Sequence, residues 1–286
     1  MMSTYKLTYE RLRHDPSVGN MLSALEAAFE KFGIDFYLVG ASARDAWISG
    51  IHLKNPGRAT KDIDIAIVVN DKEQFQQLKD YLTTEEKFQS VKENAFVLIY
   101  DGMLQLDLLP FGSIEDEDRR VHVDGSGYTK IDVPGFAEVF EAGLPELQLE
   151  NGNRFKFCTL PGIVLLKLLA WEDRPEGRTK DIVDISEILD HFFSINDREI
   201  WEQHSDLFAD EDVELPEIGA RVLGRQMRKI AIKNDSLYQR IDQFLLLNIK
   251  AAEASKMAAI MTGYFKNSVM DNVRLLEAMK QGFSDE

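Results

Sequence analysis

Two aspartates one residue apart, Asp62 and Asp64, open the run Asp62-Ile63-Asp64-Ile65-Ala66-Ile67-Val68-Val69, which otherwise reads as a buried strand. Side chains alternate faces along a strand, so Asp62, Asp64 and Ala66 share one face while Ile63, Ile65 and Ile67 share the other. Adjacent anions at the edge of a core are costly unless something positive sits between them. An oxygen-only set suits a hard divalent cation, Mg²⁺ or Mn²⁺, better than zinc. Asp107 adds a third carboxylate, set among Leu104, Leu106, Leu108 and Leu109. If its strand lies beside that of Asp62 and Asp64, three acidic ligands converge. They would hold two Mg²⁺ ions, which activate an attacking hydroxyl and stabilise a leaving pyrophosphate. The plainer readings are a chance Asp-x-Asp on a surface strand and an Asp107 that merely ends an edge strand.

These carboxylates need elements to position them. The apolar run Phe36–Val39 ends at Gly40, and the small residues Ala41, Ser42 and Ala43 lead into a helix-compatible segment. A strand, tight turn and helix start of this kind lets phosphates approach the backbone, with Ser42 as a hydroxyl donor. An ordinary turn that needs Gly40 for its backbone angles explains the same residues. The pattern predicts strands over 36–39, 62–69, 95–100 and 104–109, the last two joined by a tight Asp101-Gly102 turn. It predicts helices over 20–32, 43–49 and 72–82; Met21, Leu22, Leu25, Ala28 and Phe29 recur at helical spacing. The Gly/Pro-marked stretch 134–153 predicts one more hairpin that closes the first module. From Leu160 onward the chain reads helical, with Pro216 as an interruption and 206–217 as an acidic loop. The length favours two domains. The expectation is an α+β architecture: residues 1–154 form a head with a mixed sheet flanked by helices, and residues 155–286 a mostly helical C-terminal domain.

Composition limits the partners. The chain has 33 Lys and Arg against 49 Asp and Glu, a net charge of −16, which argues against an extended DNA- or RNA-binding surface. Arg221, Arg225, Arg228, Lys229 and Lys233 fall at near-helical spacing and read as a solvated face that offsets some of the acid. The acidic balance suits a cationic substrate or a basic protein partner. The single cysteine, Cys158, excludes an intramolecular disulfide, and the five histidines show no metal-ligand spacing. No signal-peptide core or membrane span is apparent, so the expected location is cytoplasmic.

The order of parts resembles the DNA polymerase β-like nucleotidyltransferase superfamily: a Gly/Ser turn, a helix, an Asp-x-Asp strand and a hairpin strand with a third Asp. Val39-Gly40-Ala41-Ser42-Ala43-Arg44-Asp45, followed by Lys61-Asp62-Ile63-Asp64, is similar to the head of CCA-adding enzymes and poly(A) polymerases. Those usually read Gly-Gly-x-x-Arg-Asp and then Lys-Asp-x-Asp; here Ala41 replaces the second glycine and the loop 51–59 is long. Further on, Leu165–Arg174 and Arg178-Thr179-Lys180-Asp181-Ile182-Val183-Asp184 are similar to the abortive-infection (AbiEii-type) nucleotidyltransferases, which include toxins of toxin–antitoxin pairs.

The resemblance implies a metal-dependent enzyme that moves a nucleoside monophosphate from an NTP to a hydroxyl of tRNA or protein and releases pyrophosphate. Asp62 and Asp64 would bridge two Mg²⁺ ions (Mn²⁺ as a substitute), with Asp107 completing the site that activates the acceptor. Gly40, Ala41 and Ser42 would hold the β- and γ-phosphates, with Arg44 and Lys61 nearby. Lys167 would contact phosphates, Asp181 would sit near the acceptor or base, and Arg174 and Lys180 would be secondary contacts. An antitoxin partner is implied as well. The plainer alternatives are an Arg44–Asp45 ion pair beneath the site, a snorkelling Lys167 and an Asp184 serving as a salt-bridge partner. For function, the alternatives are a nucleotidyltransferase acting on a cationic small molecule such as an antibiotic, and a non-catalytic binding module with the same fold.

Overall fold

Ile63, Ile65 and Ile67 turn one side of their strand into a core, and the remaining elements of the first half are arranged around that strand. The computed structural model describes residues 3–11, 17–55, 57, 62–209 and 212–285 and divides into two compact units, Met1–Thr159 and Leu160–Glu286. In the first unit the strands are β1 (Thr4–Leu7), β2 (Phe36–Leu38), β3 (Ile63–Val68), β4 (Phe88–Val91), β5 (Asn94–Tyr100), β6 (Leu104–Phe111), β7 (Arg120–His122), β8 (Lys130–Asp132), β9 (Glu146–Leu149) and β10 (Arg154–Phe157). Among the described residues four α-helices accompany them: α1 (Ser17–Phe32), α2 (Gly40–Asp45), α3 (Lys72–Thr84) and α4 (Phe136–Glu141). Eight strands form one mixed sheet in the order β1-β9-β10-β2-β3-β6-β5-β4, and β7 and β8 pair as a separate ribbon.

The two faces of the sheet are covered differently. Phe36 and Leu38 lie opposite Ile67 and Ile65 on one face, where Phe29 of α1 meets Phe36 with ring centroids 4.5 Å apart. Tyr37 lies opposite Ala66 on the other face, and Phe111 opposite Val68. There Phe136 and Phe140 of α4 pack on Phe111, and the Tyr37 hydroxyl donates to the Phe136 carbonyl at 2.9 Å. Helix α4 thus covers the end of this face where β3 and β6 finish, and the Asp64–Asp107 level at their beginning stays half-buried.

The expected strands are present with small shifts, and the Asp101-Gly102 turn has positive φ at both residues (50° and 72°), as a tight hairpin of this twist requires. Strands β9 and β10 form the hairpin anticipated near 134–153, but β10 enters the sheet interior and runs parallel to β2. Two helix expectations are corrected. The segment expected as a helix over 43–49 begins at Gly40 and continues as a π-helical turn, Ala46–Ile51, because Gly40 at φ 64° allows the chain to turn into a helix at once. Pro216 does not interrupt a helix; it stands in the first turn of one, where its missing N–H has no intrahelical partner to lose.

The second unit is helical: α5 (Leu160–Asp173), α6 (Thr179–Ile195), α7 (Asp197–Gln203), α8 (Leu215–Ala231), α9 (Asp235–Lys250), α10 (Lys256–Phe265) and α11 (Val269–Ser284). Helix α5 is apolar nearly all round, and α6, α8 and α9 pack against it. No helix is long and apolar enough to cross a membrane among the described residues. The arginines of α8 are not the solvated face expected of them. Arg221 forks onto the Asp285 carboxylate with two 3.1 Å hydrogen bonds, Arg225 bridges Asp285 and Asp206, and Arg228 lies over the Tyr238 ring. Arg221 and Arg225 thereby clasp Asp285 at the C-terminal end of α11.

Helices α8 and α11 cross closely because glycines face backbone. A Cβ at Gly282 would run into the Arg221 carbonyl, and one at Gly224 into the Met279 carbonyl, whereas a Cβ at Gly263 in α10 meets nothing within 4 Å. In denaturant unfolding, Gly282→Ala is expected to lose about 1–3 kcal/mol by overpacking, and Gly263→Ala to gain roughly 0.5–1 kcal/mol from its lower unfolded-state entropy. A neutral Gly282→Ala would contradict this helix crossing.

His204 is buried, and its Nδ1 lies 3.0 Å from Arg225 Nη1, so the ring must offer a lone pair there. Burial first, and then the positive charges of Arg225 and Lys229, hold the imidazole below its ordinary value against the pull of Glu199 and Asp206. The unfolded chain therefore takes up this proton at higher pH than the folded one. Its contribution is complete above about pH 6.5 and is lost as the pH falls below that. Melting temperatures between pH 7 and 5 should fall more steeply for wild type than for His204→Asn; equal slopes would remove His204 from this role.

Candidate active site

Strands β3 and β6 run side by side in parallel, and their register sets Asp64 directly opposite Asp107. Neighbouring strands lie about 4.8 Å apart, so two half-buried carboxylates stand together on one face. Asp62 precedes β3 and is exposed. Continuing the register by one step puts it beside Gln105, whose amide donates to Asp107 Oδ1 at 2.8 Å. The face therefore carries a square of polar residues, Asp62 and Asp64 on one strand line and Gln105 and Asp107 on the other. Gln105 was not singled out from the sequence; its position two residues before Asp107, hence on the same face, is the signal that could have found it. Among the described residues no group of three or more acidic, imidazole or thiol side chains is drawn together into a ready ion cage. The carboxylate-only donor set nevertheless fits a hard divalent ion, which would also relieve the repulsion between Asp64 and Asp107.

The Gly40 turn is built onto this pair. The Val39 N–H donates to the Asp64 carbonyl at 3.0 Å, and a Cβ added at Gly40 would collide with the Asp64 carboxylate. No side chain but hydrogen is accommodated there, and φ of 64° disfavours others as well. Val39 stands at the N-cap of α2 and makes no side-chain hydrogen bond to its first turn. Ser42 itself is buried, and its hydroxyl donates to the Asp62 carbonyl at 3.3 Å, joining the turn to the start of the acidic strand.

Arg44 is wholly buried, and its Nε donates to Asp45 Oδ1 at 2.9 Å. It stands beneath the turn as one half of an ion pair. Just beyond, the Trp47 indole N–H donates to the Cys158 carbonyl at 2.8 Å, tying the π-helical turn to the end of β10. Lys61 lies outside the described residues.

In the helical unit, Lys167 of α5 reaches Asp181 at 2.8 Å and Asp184 at 2.7 Å, both on α6. All three are buried. Burial pulls the Lys167 pKa down, but Asp184 and Asp181 outweigh it and hold the ammonium above its ordinary value. Arg178, at the start of α6, is 3.5 Å from the second oxygen of Asp181. Arg174 pairs with the neighbouring Asp173, and Lys180 is exposed. Lys167 is thus no snorkelling side chain; it is the cation of a buried triad, with Asp184 as one of its salt-bridge partners.

The chain is similar to several solved proteins. An antigenic nucleotidyltransferase-like protein from Paracoccidioides brasiliensis covers 70% of this chain and 91% of its own, at 16% identity and a TM-score of 0.40. ANT(2")-Ia in complex with adenylyl-2"-tobramycin covers 58% and 84%, at 17% identity and a TM-score of 0.35. The Thermotoga maritima CCA-adding enzyme complexed with tRNA covers 96% and 83%, at 14% identity and a TM-score of 0.26. No curated protein matches by sequence. Residues 23–278 match the family described as "Nucleotidyl transferase AbiEii toxin, Type IV TA system". That match runs from α1 to α11 and takes in the Asp64–Asp107 pair, the Gly40 turn and the buried Lys167 triad: the chain belongs to the AbiEii family of nucleotidyltransferase toxins.

Proposed function

We propose that the protein transfers a nucleoside monophosphate from an NTP to a hydroxyl of tRNA or protein, releasing pyrophosphate, with Asp62, Asp64 and Asp107 at the reacting centre. The observation that carries this reading is the in-register Asp64–Asp107 pair beneath a turn that admits no side chain at Gly40. Mg²⁺ or Mn²⁺ held by the three aspartates would neutralise developing charge and lower the pKa of the acceptor hydroxyl. The chain's own residues position the substrate. The backbone of Gly40, Ala41 and Ser42 would face the phosphates, while the buried Arg44–Asp45 pair keeps that turn rigid from below. Ser42 supports Asp62 through its backbone carbonyl. In this reading Lys61 is a further phosphate contact.

Membership of a type IV toxin–antitoxin family supports NTP use and an antitoxin partner. NTP and Mg²⁺ supply makes the cytoplasm the compartment of this activity. The net charge of −16 supports a second reading, in which the acceptor is a small cationic molecule.

Incubation with each α-³²P-labelled NTP and with tRNA, protein or aminoglycoside acceptors should transfer label to one class and identify it. Asp64→Asn and Asp107→Asn are each expected to lower turnover on the order of a thousand-fold or more. Their metal-free melting temperatures should stay equal to or above wild type, because each removes like-charge repulsion. Turnover that survives either change would overturn the assignment. Gly40→Ala should lose activity by displacing the Asp64 carboxylate; wild-type turnover in that variant would show that the close approach is not needed.

A further inference from the structure

Asp107 has Asp64 on one side and Val97 of β5 on the other, so its cross-strand neighbours supply one repelling anion and one apolar group. Such a carboxylate turns away from its neighbour unless a donor holds it. Gln105 is such a donor: two residues earlier on the same strand, half-buried, with its Nε2 2.8 Å from Asp107 Oδ1. The choice of an amide has a chemical reason. A lysine or arginine at 105 would hold Asp107 equally well, but its charge would compete with any cation the carboxylates bind. An aspartate or glutamate would add repulsion. A neutral donor fixes the carboxylate and leaves its negative charge available.

We infer that Gln105 is a positioning residue, holding the Asp107 carboxylate in the orientation that accepts a divalent cation beside Asp64. This rests on the reading of Asp107 as part of the reacting centre. Gln105 itself touches neither substrate nor ion, and acts through its hydrogen bond.

Mn²⁺ binding to the full-length protein, followed by the free-ion electron paramagnetic resonance signal, tests this without an acceptor substrate. The variants are Gln105→Ala, Gln105→Met, Asp107→Asn and the double change Gln105→Ala/Asp107→Asn, with melting curves as the control for folding. Gln105→Met keeps the side-chain length without the donor, so it separates the hydrogen bond from the space filled. Loss of a partner that orients a metal ligand costs about 10- to 100-fold in affinity, so Gln105→Ala and Gln105→Met should each weaken Mn²⁺ binding by that factor. The double variant should be no weaker than Asp107→Asn alone, since the amide acts only through that carboxylate. If Asp107→Asn weakens binding while both Gln105 variants bind as wild type does, the positioning role is overturned and the assignment of Asp107 stands. If Asp107→Asn also binds as wild type does, the reading of the reacting centre falls and this role with it. A double variant much weaker than Asp107→Asn would show that Gln105 acts on the ion by another route, contradicting the inference.

Discussion

Two carboxylates held side by side on adjacent parallel strands, Asp64 on β3 and Asp107 on β6, are the constraint on which the first unit depends. Like charges at that spacing oppose pairing, so the strands must be fixed by everything else they touch. Ile63, Ile65 and Ile67 do this on the opposite face, where α1 and the β2 side chains close over them. At the far end of the acidic face, Tyr37, Phe111, Phe136 and Phe140 make an aromatic plug that seals the sheet without covering the acidic level. Burial of side chains this large contributes about 1.5–3 kcal/mol each, ample against the repulsion of one half-solvated pair. The fold thus confines its electrostatic conflict to a single level of the sheet, where a cation or a substrate can relieve it.

The helical unit handles charge in the opposite way. Lys167 meets two aspartates, so its buried charges are matched locally instead of being left for a ligand. A buried triad of this kind is weak evidence for stability, because desolvation offsets most of the Coulomb attraction. Its physical consequence is rigidity: breaking one partner leaves an uncompensated buried charge, so α5 and α6 are locked in one register. The arginine clasp of α8 on Asp285 and the glycine-mediated crossing of α8 and α11 add two further locks within the same unit.

Much of the candidate site was legible in the sequence because it rests on short-range rules. Strand alternation put Asp62, Asp64 and Ala66 on one face, and the small residues after Gly40 marked a turn. What pattern reading lacked was the pairing: nothing in the run Leu104–Leu109 says that β6 joins β3 in parallel, which is what sets Asp107 opposite Asp64. Gln105 escaped notice because glutamine on a strand is unremarkable until its neighbour is known to need a donor. Short strands such as β1 and β4 were equally invisible, since four residues carry too little alternation and their stability comes from partners distant in sequence. The α8 arginines read as surface charge because their acceptors, Asp206 and Asp285, lie on other segments.

The proposed transfer requires the Asp64–Asp107 level of the first unit to bind a nucleotide together with a divalent cation. Calorimetric titration of each NTP, with and without Mg²⁺, into wild type and into an Asp64→Asn/Asp107→Asn double variant tests it most directly. Binding at this level gives Mg²⁺-dependent heat for at least one NTP with wild type and none with the double variant. Equal binding by both proteins, or no binding of any NTP at millimolar concentration, would contradict it.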